Sequence, residues 1–101
     1  MSHNRTPNNL RLNVERFADA LLEHFQIKLS ESTVSCESVI LTTDEIDEQI
    51  LPHHYLPNDN YIYIDYFEYR TSEISITGIF ILNNGKFLLL KDDKILKTKD
   101  F

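Results

Sequence analysis

The sequence predicts an α+β domain: an N-terminal amphipathic helix packed on an antiparallel β-meander. Three observations lead there. Residues Pro7–Phe25 carry apolar side chains at helical spacing, residues Tyr61 to Lys97 read as four short apolar-rich strands, and Asn84-Gly85 and Asp92-Asp93 fall where tight turns would divide that stretch. A chain of 101 residues with 42% hydrophobic side chains is enough for one domain with one modest core, spanning 1–101. Residues 1–5 are polar and are expected to be a flexible lead-in.

The helix is expected to open at Thr6-Pro7, with Thr6 as the cap and Pro7 in the first turn, where its missing N–H has no cost. Leu10, Val14, Phe17, Leu21 and Phe25 then follow a 4-3-4-4 spacing, and Ala18 and Leu22 widen the stripe. Asn13 offers an alternative cap for a shorter helix beginning at Val14. On the opposite side Glu15, Asp19 and Glu23 recur every four residues. Like charges so placed cost about a few tenths of a kcal/mol each.

One or two further strands are expected within residues 27–41. Ile27 and Leu29 alternate with Lys28, and Val34 and Cys36 alternate with Ser35 and Glu37. Ser30-Glu31-Ser32 would be the turn between them. A short second helix at 43–51 follows: Thr42 and Glu45 have capping-box spacing, Asp44 and Glu45 suit the first turn, and Pro52 ends it. Ile46, Ile50 and Leu51 would face inward. His53–Asn60, with Pro57 and Asn58-Asp59-Asn60, is a loop.

The meander divides into Tyr61–Tyr69, Glu73–Leu82, Lys86–Lys91 and Lys94–Lys97. A two-residue turn at Thr71-Ser72 would set Tyr63 opposite Phe80 and Asp65 opposite Gly78. Asn84-Gly85 would set Leu82 opposite Phe87, and Asp92-Asp93 would set Leu90 opposite Ile95 and Leu89 opposite Leu96. One face then holds Tyr61, Tyr63, Phe67, Tyr69, Ile74, Ile76, Phe80, Leu82, Phe87, Leu89 and Leu96, and suits the long helix. The other holds Ile62, Ile64, Ile79, Ile81, Leu88, Leu90 and Ile95 at one end, with Tyr66, Glu68, Ser75 and Thr77 at the other. A sheet wetted on one side should be apolar on one face only. The half-apolar second face therefore needs a cover: the 43–60 segment, a curl of the sheet, or a second chain.

Charge is unevenly placed. Net charge is −6, with −8 carried by residues 1–69 and +2 by residues 70–101, and no Lys or Arg lies between Leu29 and Tyr69. Such a segment repels nucleic acid and anionic membranes and attracts basic partners. Lys91, Lys94, Lys97 and Lys99 are interleaved with acids and suit an edge strand guarded against aggregation. No apolar run approaches the roughly 20 residues of a membrane span, and the N-terminus lacks a signal-peptide pattern. A cytoplasmic location is expected.

Chemistry-bearing motifs are sparse. The single Cys36 permits neither an internal disulfide nor a cysteine zinc cage, and is expected as a small buried thiol. Neither glycine sits in a phosphate loop, and no hydrolase elbow is present. No catalytic residue and no cofactor is assigned. Asp65 amid Tyr61, Tyr63 and Phe67, facing Gly78, marks a small pocket of Asp65, Gly78 and Tyr63, or a carboxylate held by hydrogen bonds. No metal site is assigned; His53 and His54 are weak candidates, adjacent rather than at i, i+2 or i, i+4 spacing.

A non-enzymatic binding protein is therefore expected, an inhibitor or immunity-type protein docking on a basic partner protein. Glu15, Asp19, Glu23, Asp44, Asp47, Glu48 and Tyr55 are the expected contact residues. One alternative is a structural or regulatory homo-oligomer, such as a homodimer, using the apolar sheet face. Another is a small-ligand or metal-dependent protein using Asp65 or His53/His54.

Overall fold

A computed structural model of the chain describes residues 7–28 and 34–100, with the side chains of residues 7–10 excepted. The described residues form one α-helix, α1 (Pro7–Phe25), and five strands: β1 (Val34–Leu41), β2 (Ile62–Arg70), β3 (Ser75–Ile81), β4 (Lys86–Lys91) and β5 (Lys94–Asp100). The strands form one antiparallel sheet in the order β1-β2-β3-β4-β5, and the expected α+β class is what the chain adopts. The expected cap Thr6, Leu29 and the Ser30–Ser32 turn lie outside the described residues.

Helix α1 buries Phe17, Ala20 and Leu21, with Val14 and Phe25 half-buried. The buried stripe is rotated from the expected one. Asn13 is buried and Leu22 is exposed, because Asn13 has a polar partner on the sheet. Gln26, with φ of 56°, ends the helix in the left-handed region. The carbonyls of Leu22 and Leu21 are then taken by the N–H groups of Gln26 (3.0 Å) and Ile27 (3.2 Å).

The face under α1 is aromatic. Phe17 stacks on Phe67 at 5.7 Å, Phe67 meets Phe80 edge-on at 5.5 Å, and Phe80 stacks on Phe87 at 4.4 Å. Gly78 lies opposite Phe67 on β2 and Leu89 on β4. A β-carbon there would fall 2.5 Å from Phe17 Cδ1. The missing side chain therefore lets the helix approach the strands, a common use of glycine within a sheet.

The second face forms its own core. Ile62, Ile64, Ile79, Ile81, Leu88 and Leu90 are covered by Ile46, Leu51, Tyr55 and Leu56. The cover comes from within the chain, but it is not the expected helix. Residues Thr43–Glu45 and His53–Tyr55 are single 3₁₀ turns. Helical winding stops at Ile46, whose backbone is extended. The Asp47 side chain then accepts the N–H of Gln49 at 2.9 Å, and its carbonyl accepts those of Ile50 and Leu51. A local aspartate turn competes here with helix continuation, and a segment this short has little cooperative propagation to oppose it.

Two hairpins are wider than expected, each shifted by two residues. Asp65 pairs with Phe80, not Gly78, and Ile81 pairs with Lys86. Thr71 closes the first connection: its hydroxyl accepts the N–H groups of Glu73 and Ile74, both at 3.1 Å, and its own N–H donates to Ile74 O. In the second, only Gly85 has positive φ (72°), whereas a two-residue turn of the expected type needs two such positions. Asn83 instead accepts Tyr63 N–H at 2.8 Å and donates to Tyr61 O and Asp59, while Asn84 donates to Tyr55 O. Because side chains alternate with period two, a two-residue shift leaves the face assignments of β2, β3 and β4 intact. The third turn is as expected, with Asp92 (φ 50°) and Asp93 (φ 67°) between the paired Lys91 and Lys94. Beyond it Leu89 pairs with Lys97 rather than Leu96. Leu96 is the extra residue of a bulge and is exposed.

Candidate functional site

Each group singled out in the sequence now has a place. Asp65 has no exposed surface. It points to the α1 side of β2, where Asn13 Nδ2 donates to its Oδ2 at 2.8 Å and Ser38 Oγ donates to its Oδ1 at 2.9 Å. Asn13 Oδ1 in turn accepts from Arg16 at 2.7 Å. The carboxylate is thus the centre of a network joining α1, β1 and β2, with its described partners supplying the hydrogen bonds that burial demands. The expected pocket of Asp65, Gly78 and Tyr63 does not form. The register sets Asp65 two residues away from Gly78 along the pairing, and the Phe17 ring fills the space at Gly78.

His53 and His54 diverge. His53 Nε2 lies 2.9 Å from Ile46 O, tying the two 3₁₀ turns together, while the His54 ring packs on Tyr55 with centroids 4.1 Å apart. Among the described residues no three His, Cys, Asp or Glu side chains converge to hold a metal. Cys36 is exposed on the edge strand β1, not buried, since α1 rests on β2, β3 and β4. No described helix is long and apolar enough to cross a membrane.

The carboxylates are separated by the sheet. Glu15, Asp19 and Glu23 are exposed on α1, which covers one face. Asp44, Asp47 and Glu48 are exposed on the segment covering the other. One flat partner surface therefore meets one set or the other. No ion pair among the described residues engages any of the six. Tyr55 is half-buried against the second core, and acts there as part of the cover.

The second face carries a feature that spacing could not reveal. Its cover is incomplete. Between the 43–51 segment and strands β1–β3 runs an open cleft of about 190 Å³. Its floor is Val39, Ile64, Tyr66 and Ile79, its wall is Ile46, Ile50 and Leu51, and Glu45 and Asp47 stand at its rim. Glu45 is fixed in place: its Oε1 accepts the Thr42 N–H at 2.7 Å and the Thr42 hydroxyl at 3.0 Å. These two bonds, the backbone one foremost, hold its carboxyl below the usual glutamate range. The half-apolar face that suggested a homodimer is otherwise covered from within.

No known protein family, curated protein or solved structure matches the chain.

Proposed function

We propose that the chain is a small acidic, non-enzymatic binding protein, an inhibitor of the immunity type, that docks on a basic partner protein in the cytoplasm. The observation that carries this is the carboxylate layer over the second sheet face, which no ion pair among the described residues compensates. Asp44, Glu45, Asp47 and Glu48 are all exposed, in a stretch from Leu29 to Tyr69 without a single Lys or Arg. Charges without an ion pair among the described residues keep their field for an incoming surface. Complementary charge then speeds encounter and disfavours wrong partners.

The mechanism is occlusion. The 43–48 carboxylates meet Lys or Arg side chains around a partner's cleft and cover it. The α1 carboxylates Glu15, Asp19 and Glu23, facing the other way, add long-range attraction or serve a second contact.

The test is affinity capture from the native host at low and high salt, beside a protein carrying Asp44→Asn, Asp47→Asn and Glu48→Gln. A specific partner is retained at low salt, released at high salt, and lost by the neutralised protein. Absence of any partner at low salt, or retention insensitive to salt and to neutralisation, refutes it.

A further inference from the structure

We infer that the cleft beneath Glu45 and Asp47 is an anchor pocket for one large apolar side chain, presented on a lysine- or arginine-flanked segment of the partner. The inference rests on the docking function proposed above and names what is recognised there.

Size points to a side chain. The cleft measures about 190 Å³, short of the roughly 300–1,000 Å³ typical of small-molecule sites. It exceeds the approximately 150 Å³ cavity that accommodates benzene. One phenylalanine, leucine or methionine side chain fits that interval.

Chemistry points to the flanks. The floor and wall are aliphatic and tyrosyl, so the inserted group must be apolar. Among the described residues the ionisable groups lining the cleft are the Glu45 and Asp47 carboxylates and the Tyr66 hydroxyl, with Asp44 and Glu48 adjacent in the chain. An anionic rim around an apolar floor repels acidic segments and pairs with cations on either side of the anchor. A deep apolar anchor ringed by polar contacts is how binding energy concentrates in protein interfaces. Glu45 is already oriented by Thr42, so less freedom is lost when a cation arrives.

The experiment is an NMR titration of the full chain, reading isoleucine methyl and backbone amide signals. The probes are three capped pentapeptides: four lysines around a central phenylalanine, four lysines around a central alanine, and four glutamates around a central phenylalanine. The phenylalanine–lysine peptide is expected to shift Ile46, Ile50, Ile64 and Ile79, and to bind about tenfold more tightly than its alanine counterpart. The glutamate peptide is expected not to bind. Ile50 is 38% exposed, so Ile50→Ser leaves the fold intact and should remove the advantage of phenylalanine over alanine.

Equal affinity for the two lysine peptides, with shifts confined to residues 44–48, overturns the pocket while leaving docking on basic partners in place. Failure of both lysine peptides to bind overturns both. Equal binding of the glutamate peptide overturns the cationic flank. Concentration-dependent shifts of the cleft residues without any peptide would assign the pocket to a second copy of the chain and also overturn the inference.

Discussion

The closeness of α1 to the sheet depends on Gly78, and Gly78→Ala measures it. The added β-carbon would meet Phe17 Cδ1 at 2.5 Å, Phe17 Cε1 at 2.9 Å and Phe87 Cε1 at 3.3 Å. Carbon atoms rest at about 3.5–4.0 Å, so the overlap with the Phe17 ring is about 1 Å. Phe17 has no exposed surface and is stacked on Phe67, so its ring cannot swing away without moving the helix. Overpacking of this kind costs about 1–3 kcal/mol. Alanine recovers roughly 0.5–1 kcal/mol because glycine loses more chain freedom on folding. An overlap this large belongs in the upper half of that range, so the net expectation is a destabilisation of about 1–2.5 kcal/mol, read as a lower urea midpoint by far-UV circular dichroism and a Tm drop of roughly 5–20 °C. The clash also predicts coupling. Phe17→Leu alone should cost about 1 kcal/mol in lost contacts, but clearly less in the Gly78→Ala background. A Gly78→Ala protein as stable as the parent, or additivity of the two changes within about 0.3 kcal/mol, would refute the close approach.

Three further outcomes follow from the same geometry. Asp65→Ala strips the buried Asn13 amide and the Ser38 hydroxyl of their common acceptor; a loss of about 2–4 kcal/mol is expected in chemical denaturation, and an unchanged midpoint would contradict the network. The Glu45 carboxyl, followed by carbon NMR, should titrate below the ordinary glutamate value of about 4.3. Its folded pKa being depressed, the stabilisation it gives is present above the ordinary value and lost as pH falls through the depressed one; Thr42→Val should move the midpoint part of the way back, since the backbone bond survives. Cys36 should react fully with a thiol reagent in the native protein, and protection relieved only by denaturant would contradict its exposure on β1.

What could be seen in the sequence were the elements whose signal is repetitive. The Pro7–Phe25 stripe and the apolar-rich runs of Ile62–Lys91 involve enough residues to outvote single ones, so the helix bounds and both sheet faces were legible. The turns were not, because each depends on one or two side chains with competing options. Asn83 prefers the backbone of Tyr63 and Tyr61 to a tight turn, Thr71 closes its loop through a hydroxyl, and Asp47 replaces helix continuation with its own turn. Asn13 looked like a cap and is a buried partner of Asp65, 52 residues away in the chain; nothing local announces such a pair. The acidic segment was visible as composition. Its division between two layers, and the cleft beneath Glu45 and Asp47, arise from packing alone and have no signature in spacing.

The most direct test of an acidic docking surface is the rate at which the chain meets its partner, once captured, as salt is varied. Between about 20 and 200 mM monovalent salt the association rate is expected to fall roughly tenfold or more, with little change in dissociation. The protein neutralised at Asp44, Asp47 and Glu48 should show a much shallower dependence. An association rate that is flat across this range, or equally steep in the neutralised protein, would contradict a docking surface built on those carboxylates.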